Sequence, residues 1–243
     1  MSMYEAGGIM EILLHFIFFM SGSCLASFIE CMAFQISHSC FRMRSRCAEC
    51  GHVLAWYDLI PVFSYLILRG RCRSCGSRIS TVHPVSEIAC GLYCAALYRH
   101  SGLTAVLAGR VLLMSVLVYA AFYDMYTMEI PDVCLVLQIM IFFVFEQRDC
   151  TQTAARVIPA AAAALYVSAA AMLFYVFRKQ SGIGFGDIKL YFVCGLYLTF
   201  QQVMTLIAVS GLLGVVYVLA SGKKKIPFGP CIAAAFLVLI LYV

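Results

Sequence analysis

Val203-Met-Thr-Leu-Ile-Ala-Val-Ser-Gly-Leu-Leu-Gly-Val-Val-Tyr-Val-Leu-Ala220 carries no charge and is followed closely by Lys223-Lys-Lys225. Such a run reads as a bilayer-crossing helix, because about 20 residues at 1.5 Å each match the ~30 Å hydrocarbon core. Apolar side chains all around a helix need an apolar solvent on every side. Working outward, comparable runs fall at 9–37, 82–98, 103–123, 132–145, 154–177, 187–201 and 230–243. The fold class expected is therefore an all-α polytopic membrane protein with about eight transmembrane helices. Three runs (132–145, 187–201 and 230–243) are short, and the break near Gln201 and Gln202 is either a turn or a kink. Composition agrees: 63% hydrophobic and 12% charged residues, with mean hydropathy +0.94, exclude a soluble domain with an ordinary polar surface. The first run is too long for a signal-peptide core and contains Glu11, His15 and Glu30, so no cleavable signal is expected.

Charge asymmetry tests the helix count independently, since cytoplasmic loops collect Lys and Arg. With eight helices and both ends outside, Arg42, Arg44, Arg46, Arg69, Arg71, Arg73, Arg78, Arg178, Lys179 and Lys223–Lys225 share the inner face. Arg99, Arg148 and Arg156 fall outside. The net charge of +5 is then a topology signal and does not imply a nucleic-acid partner. The expected location is a membrane, with the basic loops on its cytoplasmic side and membrane lipid as much of the solvent.

Between the first two runs lies the one sizeable polar segment, 38–80, too small to build much of a core without a staple. It contains Cys47-Ala-Glu-Cys50 and Cys72-Arg-Ser-Cys75, two C-x-x-C knuckles separated by residues 51–71. Four thiolates so paired suit a tetrahedral zinc ion, and the basic loop places them in the reducing cytosol, where disulfides are disfavoured. With every position filled by protein, the zinc is expected to be structural. Cys40 is the one nearby competitor; the other cysteines lie mostly on apolar runs, where Cys acts as a small hydrophobe. Ala160–Ala164 is a small-residue run suited to close helix packing in lipid.

Two acidic clusters sit at inner helix ends: Asp124-Met-Tyr-Thr-Met-Glu-Ile-Pro131-Asp132 and Gly184-Phe-Gly-Asp187-Ile-Lys189. Glu129 or Asp132 alone reads more simply as a solvated loop residue. Asp187 is flanked by Gly184 and Gly186, which permit close approach of another chain, although an Asp at a helix start also serves as a cap. Two carboxyls held close together around a water share one proton, so that one accepts from the water while the other donates toward a carbonyl oxygen. That is the chemistry of peptide hydrolysis.

Asp124-x6-Pro131-Asp132 together with Gly184-x-Gly186-Asp187 resembles the paired motifs of the type IV prepilin peptidases. The resemblance extends to the tetracysteine loop, Asp58-Leu-Ile-Pro-Val-Phe-Ser-Tyr-Leu66, Arg69-Gly-Arg-Cys72, His83-Pro-Val-Ser-Glu87 and Ile226-Pro-Phe-Gly-Pro230. It implies catalytic roles for Asp124 and Asp187, with Gly184, Gly186, Lys189 and Asp132 in support. It also implies cleavage of the basic leader of type IV prepilins or pseudopilins at the cytoplasmic membrane edge, and with it a location in the inner (cytoplasmic) membrane of a bacterium. N-methylation of the new N-terminus with S-adenosylmethionine is implied to follow. The chain then divides into a first transmembrane helix (1–37), a cytoplasmic zinc insert (38–80) and a transmembrane aspartic peptidase bundle (81–243).

No methyl-donor site follows from spacing; the candidates are Glu30, Gln35 and Glu87. The family pattern G-S-F-L-N-V-V-I-Y-R-L-P aligns with Ala26-Ser-Phe-Ile-Glu-Cys-Met-Ala-Phe-Gln-Ile-Ser37, placing Glu30 where the family has Asn and Gln35 where it has Arg. The two readings are impaired methyl transfer, or a retained site in which Glu30 faces a basic residue. Glu87 faces either the insert or the methyl-transfer site. Arg110, well inside the third run, is about 21 Å along a helix from Asp124, so a bond to Glu11 or snorkelling outward is expected instead. His15 reads as a packing histidine. The rival classes are a peptidase lacking methylation, a transporter, and a non-enzymatic pilus-assembly scaffold.

Overall fold

A computed structural model describes residues 3–38, 45–47, 49–146, 150–179, 183–222 and 225–242. Cys40, Arg42, Arg44, Arg148, Lys223 and Lys224 lie outside the described residues, as does the side chain of Arg178. Among the described residues the chain is helical, with two isolated bridges and no strand. The helices are α1 (Met3–Ser37), α2 (Phe63–Ile67), α3 (Val82–Ser101), α4 (Ala105–Thr127), α5 (Asp132–Ile141), α6 (Cys150–Arg178), α7 (Phe185–Tyr197), α8 (Phe200–Ser221) and α9 (Gly229–Ile240). A 3-10 turn (Trp56–Leu59) precedes α2, and a π turn (Phe142–Glu146) continues α5.

Each apolar run contains one helix, and among the described residues four are long and apolar enough to cross a membrane: Gly8–Ser37, Ala105–Thr127, Ala155–Phe177 and Phe200–Ser221. The break near Gln201 and Gln202 is a true interruption at Leu198 and Thr199. Its cause is local. Gln202 Oε1 accepts the Thr199 backbone N–H at 2.9 Å, so the glutamine caps the new helix.

The chain forms two compact units, Met1–Leu107 and Ala108–Val243. In the first, α1 packs along α3 through glycines. A Cβ on Gly22 would stand 2.5 Å from the Cys90 carbonyl oxygen, and one on Gly91 would stand 2.8 Å from that of Phe19. Only glycine allows backbones this near, the usual device where lipid supplies no hydrophobic drive between helices. Phe18 stacks on Tyr98 at 4.6 Å, and Ser23 Oγ donates to the Glu87 carbonyl at 2.9 Å. His15 lies edge-on to Tyr98 with Nδ1 2.8 Å from the Glu11 carbonyl oxygen, a packing role.

In the second unit α6 meets α7 where Gly195 faces Ala160; a Cβ there would come within 2.6 Å of Ala160 Cα. Ala160 and Ala163 are fully buried, as the alanine run predicts. Tyr197 closes this core, its ring edge-on to both Phe142 and Phe236 and its hydroxyl donating to the Gln138 carbonyl at 2.5 Å. Arg110, for which the sequence suggests Glu11 or an outward reach, is engaged by residues of its own unit. Its Nε lies 3.3 Å from Glu146 Oε1 and its NH1 donates to the Ile240 carbonyl at 3.4 Å. The π turn widens the end of α5 and carries Glu146, just beyond the run read from sequence, to this buried cation.

Candidate active site and metal centre

Asp124 lies one turn before the end of α4, since the helix continues to Thr127 instead of stopping at 123. The chain then reverses through Met128, whose φ of 59° is left-handed and whose N–H returns to the Asp124 carbonyl at 2.9 Å. This sharp exit sends Ile130 against the first turn of α7. A Cβ on Gly186 would lie 3.2 Å from Ile130 Cβ, so the glycine lets the loop after α4 dock on α7. Asp124 is thereby brought within electrostatic reach of Asp187.

Each carboxylate is held by a backbone amide. Asp187 sits at the third position of α7, where its Oδ2 accepts the Gly184 N–H at 3.1 Å. The capping role open to it from sequence is thus real and coexists with its place beside Asp124. Asp124 is buried at 5% exposure and its Oδ2 accepts the Gly229 N–H at 2.8 Å. That amide belongs to the first turn of α9, where N–H groups have no intrahelical partner and the helix dipole favours negative charge. Cys231, two residues further on, is buried within the field of both aspartates. The corner therefore gathers the end of α4 and the starts of α7 and α9. Sequence reasoning singled out Ile226–Pro230 only as part of a motif; the Gly229 amide was the piece it missed.

The other acidic residues of the two motifs are peripheral. Asp132, at the start of α5 with its side chain 72% exposed, pairs with Lys189 Nζ at 2.7 Å. Lys189 also lies over the Phe185 ring at 5.1 Å. Glu129 is exposed.

In the first unit the ligand atoms of Cys47, Cys50, Cys72 and Cys75 all lie within 4.8 Å of one another. Both knuckles fold alike. Cys47 N–H donates to the His52 carbonyl and Cys72 N–H to that of Ser77, while the amides of Gly51 and Gly76 return to the first cysteine of each. Gly51 (φ 69°) and Gly76 (φ 71°) supply the left-handed residue each turn requires. Cys47 and Cys75 Sγ are 3.8 Å apart, which fits the edge of a tetrahedron with Zn–S near 2.3 Å, about 3.8 Å. Backbone amides of Cys50 and Glu49, then the Ser77 hydroxyl, pull the Cys47 thiol down to about 6, and Ser77 lowers Cys75 as well. Cys50 is pushed the other way, to about 11, because the His52 amide that lowers it is outweighed by desolvation and by its hydrogen bonds with the other cysteines. The four gathered sulfurs fit a thiophilic metal.

The three candidates for methyl transfer lie on α1 and α3, and each is engaged by protein. Glu30 is buried, with Oε1 2.8 Å from His83 Nδ1 and Oε2 accepting from Ser86 Oγ at 3.4 Å. Glu87 Oε2 accepts the Val62 N–H at 2.8 Å, so of its two expected directions it takes the insert. Gln35 Nε2 donates to Cys31 Sγ at 3.3 Å.

Residues 20–101 match the family model described as the bacterial peptidase A24 N-terminal domain, and residues 111–219 match the type IV leader peptidase family. Among similar curated proteins is the prepilin leader peptidase/N-methyltransferase of Bacillus subtilis (strain 168), 32% identical over 212 residues, 82% of each chain. The protein of that name from Burkholderia pseudomallei (strain K96243) is 36% identical over 202 residues, 79% of this chain and 64% of the relative. One from Myxococcus xanthus (strain DK1622) is 44% identical over 109 residues, 44% of this chain and 32% of the relative. The chain thus spans less than two thirds of the last two relatives. No solved structure matches it. The two matched families and the Bacillus relative place this chain in the prepilin leader peptidase family, a family of peptidase enzymes.

Proposed function

We propose that this protein cleaves the basic leader of type IV prepilins or pseudopilins at the cytoplasmic edge of a bacterial inner membrane, with Asp124 and Asp187 as the catalytic pair. The observation that carries this reading is the convergence of two aspartates from different helices, each tied by one oxygen to a glycine N–H. Anchoring one oxygen of each leaves the other to meet water and the scissile carbonyl. Asp124, the more buried and fixed by the α9 dipole, is the carboxylate that takes the proton from the attacking water. Asp187, beside the open glycine turn, holds the shared proton and donates it toward the carbonyl oxygen. Gly184, exposed at the start of this turn, leaves room for an extended substrate backbone, Gly186 lets Ile130 dock, and the Lys189–Asp132 pair ties α7 to α5. The leader's basic residues stay in the cytosol while the apolar stem enters lipid, so the scissile bond reaches the site at the membrane edge.

The eight helices of the apolar runs, that is all but α2, are taken to cross or line the bilayer, with the Lys- and Arg-rich loops inside. The functional partition proposed is a first transmembrane helix (1–37), the insert (38–80) and the peptidase bundle (81–243). Cys47, Cys50, Cys72 and Cys75 are assigned to one zinc ion that staples the insert. Methylation of the new N-terminus, the second half of the relatives' name, is proposed on that ground; S-adenosylmethionine would supply the methyl group. Because Glu30, Gln35 and Glu87 are each engaged by protein, no donor site is assigned to them and no step is routed through that cofactor. Co-expression with candidate prepilins tests the whole reading. A size shift of leader removal supports it, and intact precursors with every pilin class tried contradict it.

A further inference from the structure

The insert presents a ridge of large apolar side chains that a water-facing module of its size has no use for. Trp56 is 78% exposed, Ile67 74% and Leu66 65%, and Tyr57, Ile60 and Phe63 are exposed beside them. An exposed apolar patch of this kind on a small stapled module marks an interaction surface.

Its shape is held, not incidental. The Phe63 N–H donates to the Pro61 carbonyl at 2.6 Å across Val62, whose φ of 64° and ψ of −53° describe a tight γ-turn. That region is costly for a β-branched residue and persists only where the surroundings impose it. Glu87 imposes it by accepting the Val62 N–H. The turn separates the 3-10 segment Trp56–Leu59 from α2, so both are presented from a fixed elbow anchored on α3.

We propose that this ridge rests in the interfacial layer of an anionic membrane leaflet. Two observations name that occupant. The first is position: the insert leaves the end of α1 at Ser37 and returns at Val82, and Glu30–His83 ties those two helix ends together. If α1 and α3 cross the bilayer, the insert emerges at its edge. The second is chemistry. Trp and Tyr are the residues of the membrane interface, and Arg69, Arg71, Arg73 and Arg78 are all exposed on the same insert, matching anionic headgroups. Arg73 lies over the Tyr57 ring at 5.0 Å and pairs with Asp58 at 2.8 Å, placing one guanidinium against the apolar ridge. The proposal rests on α1 and α3 as spans and is independent of the peptidase reading, which leader cleavage in the same samples reports separately.

Trp56 is the chain's one tryptophan, so the unmodified full chain carries its own probe. In nanodiscs of phosphatidylcholine and phosphatidylglycerol with brominated acyl chains, its emission should be blue-shifted and lose at least about half its intensity, with iodide quenching slowed. In discs of phosphatidylcholine alone, or with Arg71→Gln and Arg78→Gln combined, the loss should shrink. Water-like emission fully open to iodide would overturn the proposal. So would shielding from iodide without quenching by brominated lipid, which would show a protein cover instead. Equal quenching in neutral and anionic discs would overturn the anionic part.

Discussion

The amide of Gly229 donates to Asp124 Oδ2 at 2.8 Å, joining residues that stand 105 positions apart. A Cβ on Gly229 would lie 2.9 Å from that same oxygen and 3.3 Å from Asp124 Cβ and Cγ. The glycine is needed here for proximity, not for an unusual backbone angle. Asp124 and the first turn of α9 are fitted to each other so closely that the smallest side chain disturbs the carboxylate.

Gly229→Ala should therefore lower kcat for leader cleavage by about 10- to 100-fold with little change in KM, since an ångström of misplacement acts on chemistry more than on distant binding. Gly211→Ala on α8, where a Cβ meets nothing within 4 Å, is the control and should cleave normally. Steady-state kinetics on both variants checks this. Equal behaviour would show that the Gly229 contact does not position Asp124.

Purified protein should contain about one zinc per chain, and Cys72→Ser should lose it. Ligand thiols must be deprotonated to bind metal. Protons therefore compete with zinc for all four sulfurs, with Cys47, lowered to about 6 from the ordinary 9.0, the most acidic of them and Cys50, raised to about 11, the least. Metal retention should be full near neutrality and fall as the medium is acidified. Elemental analysis across a pH series measures it, and a chain without zinc at neutral pH refutes the assignment.

Methylation of the mature pilin should be incomplete in cells relying on this enzyme alone. Glu30, which replaces a family Asn, has its charge answered by His83 and Ser86, so the departure that matters is Gln35. The family arginine offers a planar fork for a carboxylate, which an amide lacks. Mass spectrometry of the pilin N-terminus should find free amine beside complete leader removal. Uniform methylation would show that Gln35 suffices.

What was legible in the sequence was whatever depends on local pattern. Apolar runs located eight helices, and C-x-x-C spacing gathered four sulfurs, because both follow from neighbours along the chain. What escaped depends on distant backbone. The Gly229 amide shows no side-chain signal, and Glu146 reaches Arg110 only because α5 widens into a π turn. The elbow at Val62 runs against that residue's own preference and is imposed by Glu87 on another helix. Gln202 looked like a polar interruption, and its capping role depends on Leu198 and Thr199 turning extended before it.

The central claim is that Asp124 and Asp187 act as one catalytic pair, and the most direct measurement is the rate of leader cleavage by Asp124→Asn and by Asp187→Asn in purified, membrane-reconstituted protein. Asn keeps the size and accepts the Gly229 or Gly184 amide through its carbonyl oxygen, so the helices should insert and pack as before. Each variant should cleave at least about 10³-fold more slowly, with the double variant little worse than either, because members of one catalytic unit do not act additively. Cleavage near the wild-type rate by either variant, at normal protein levels, would contradict the account.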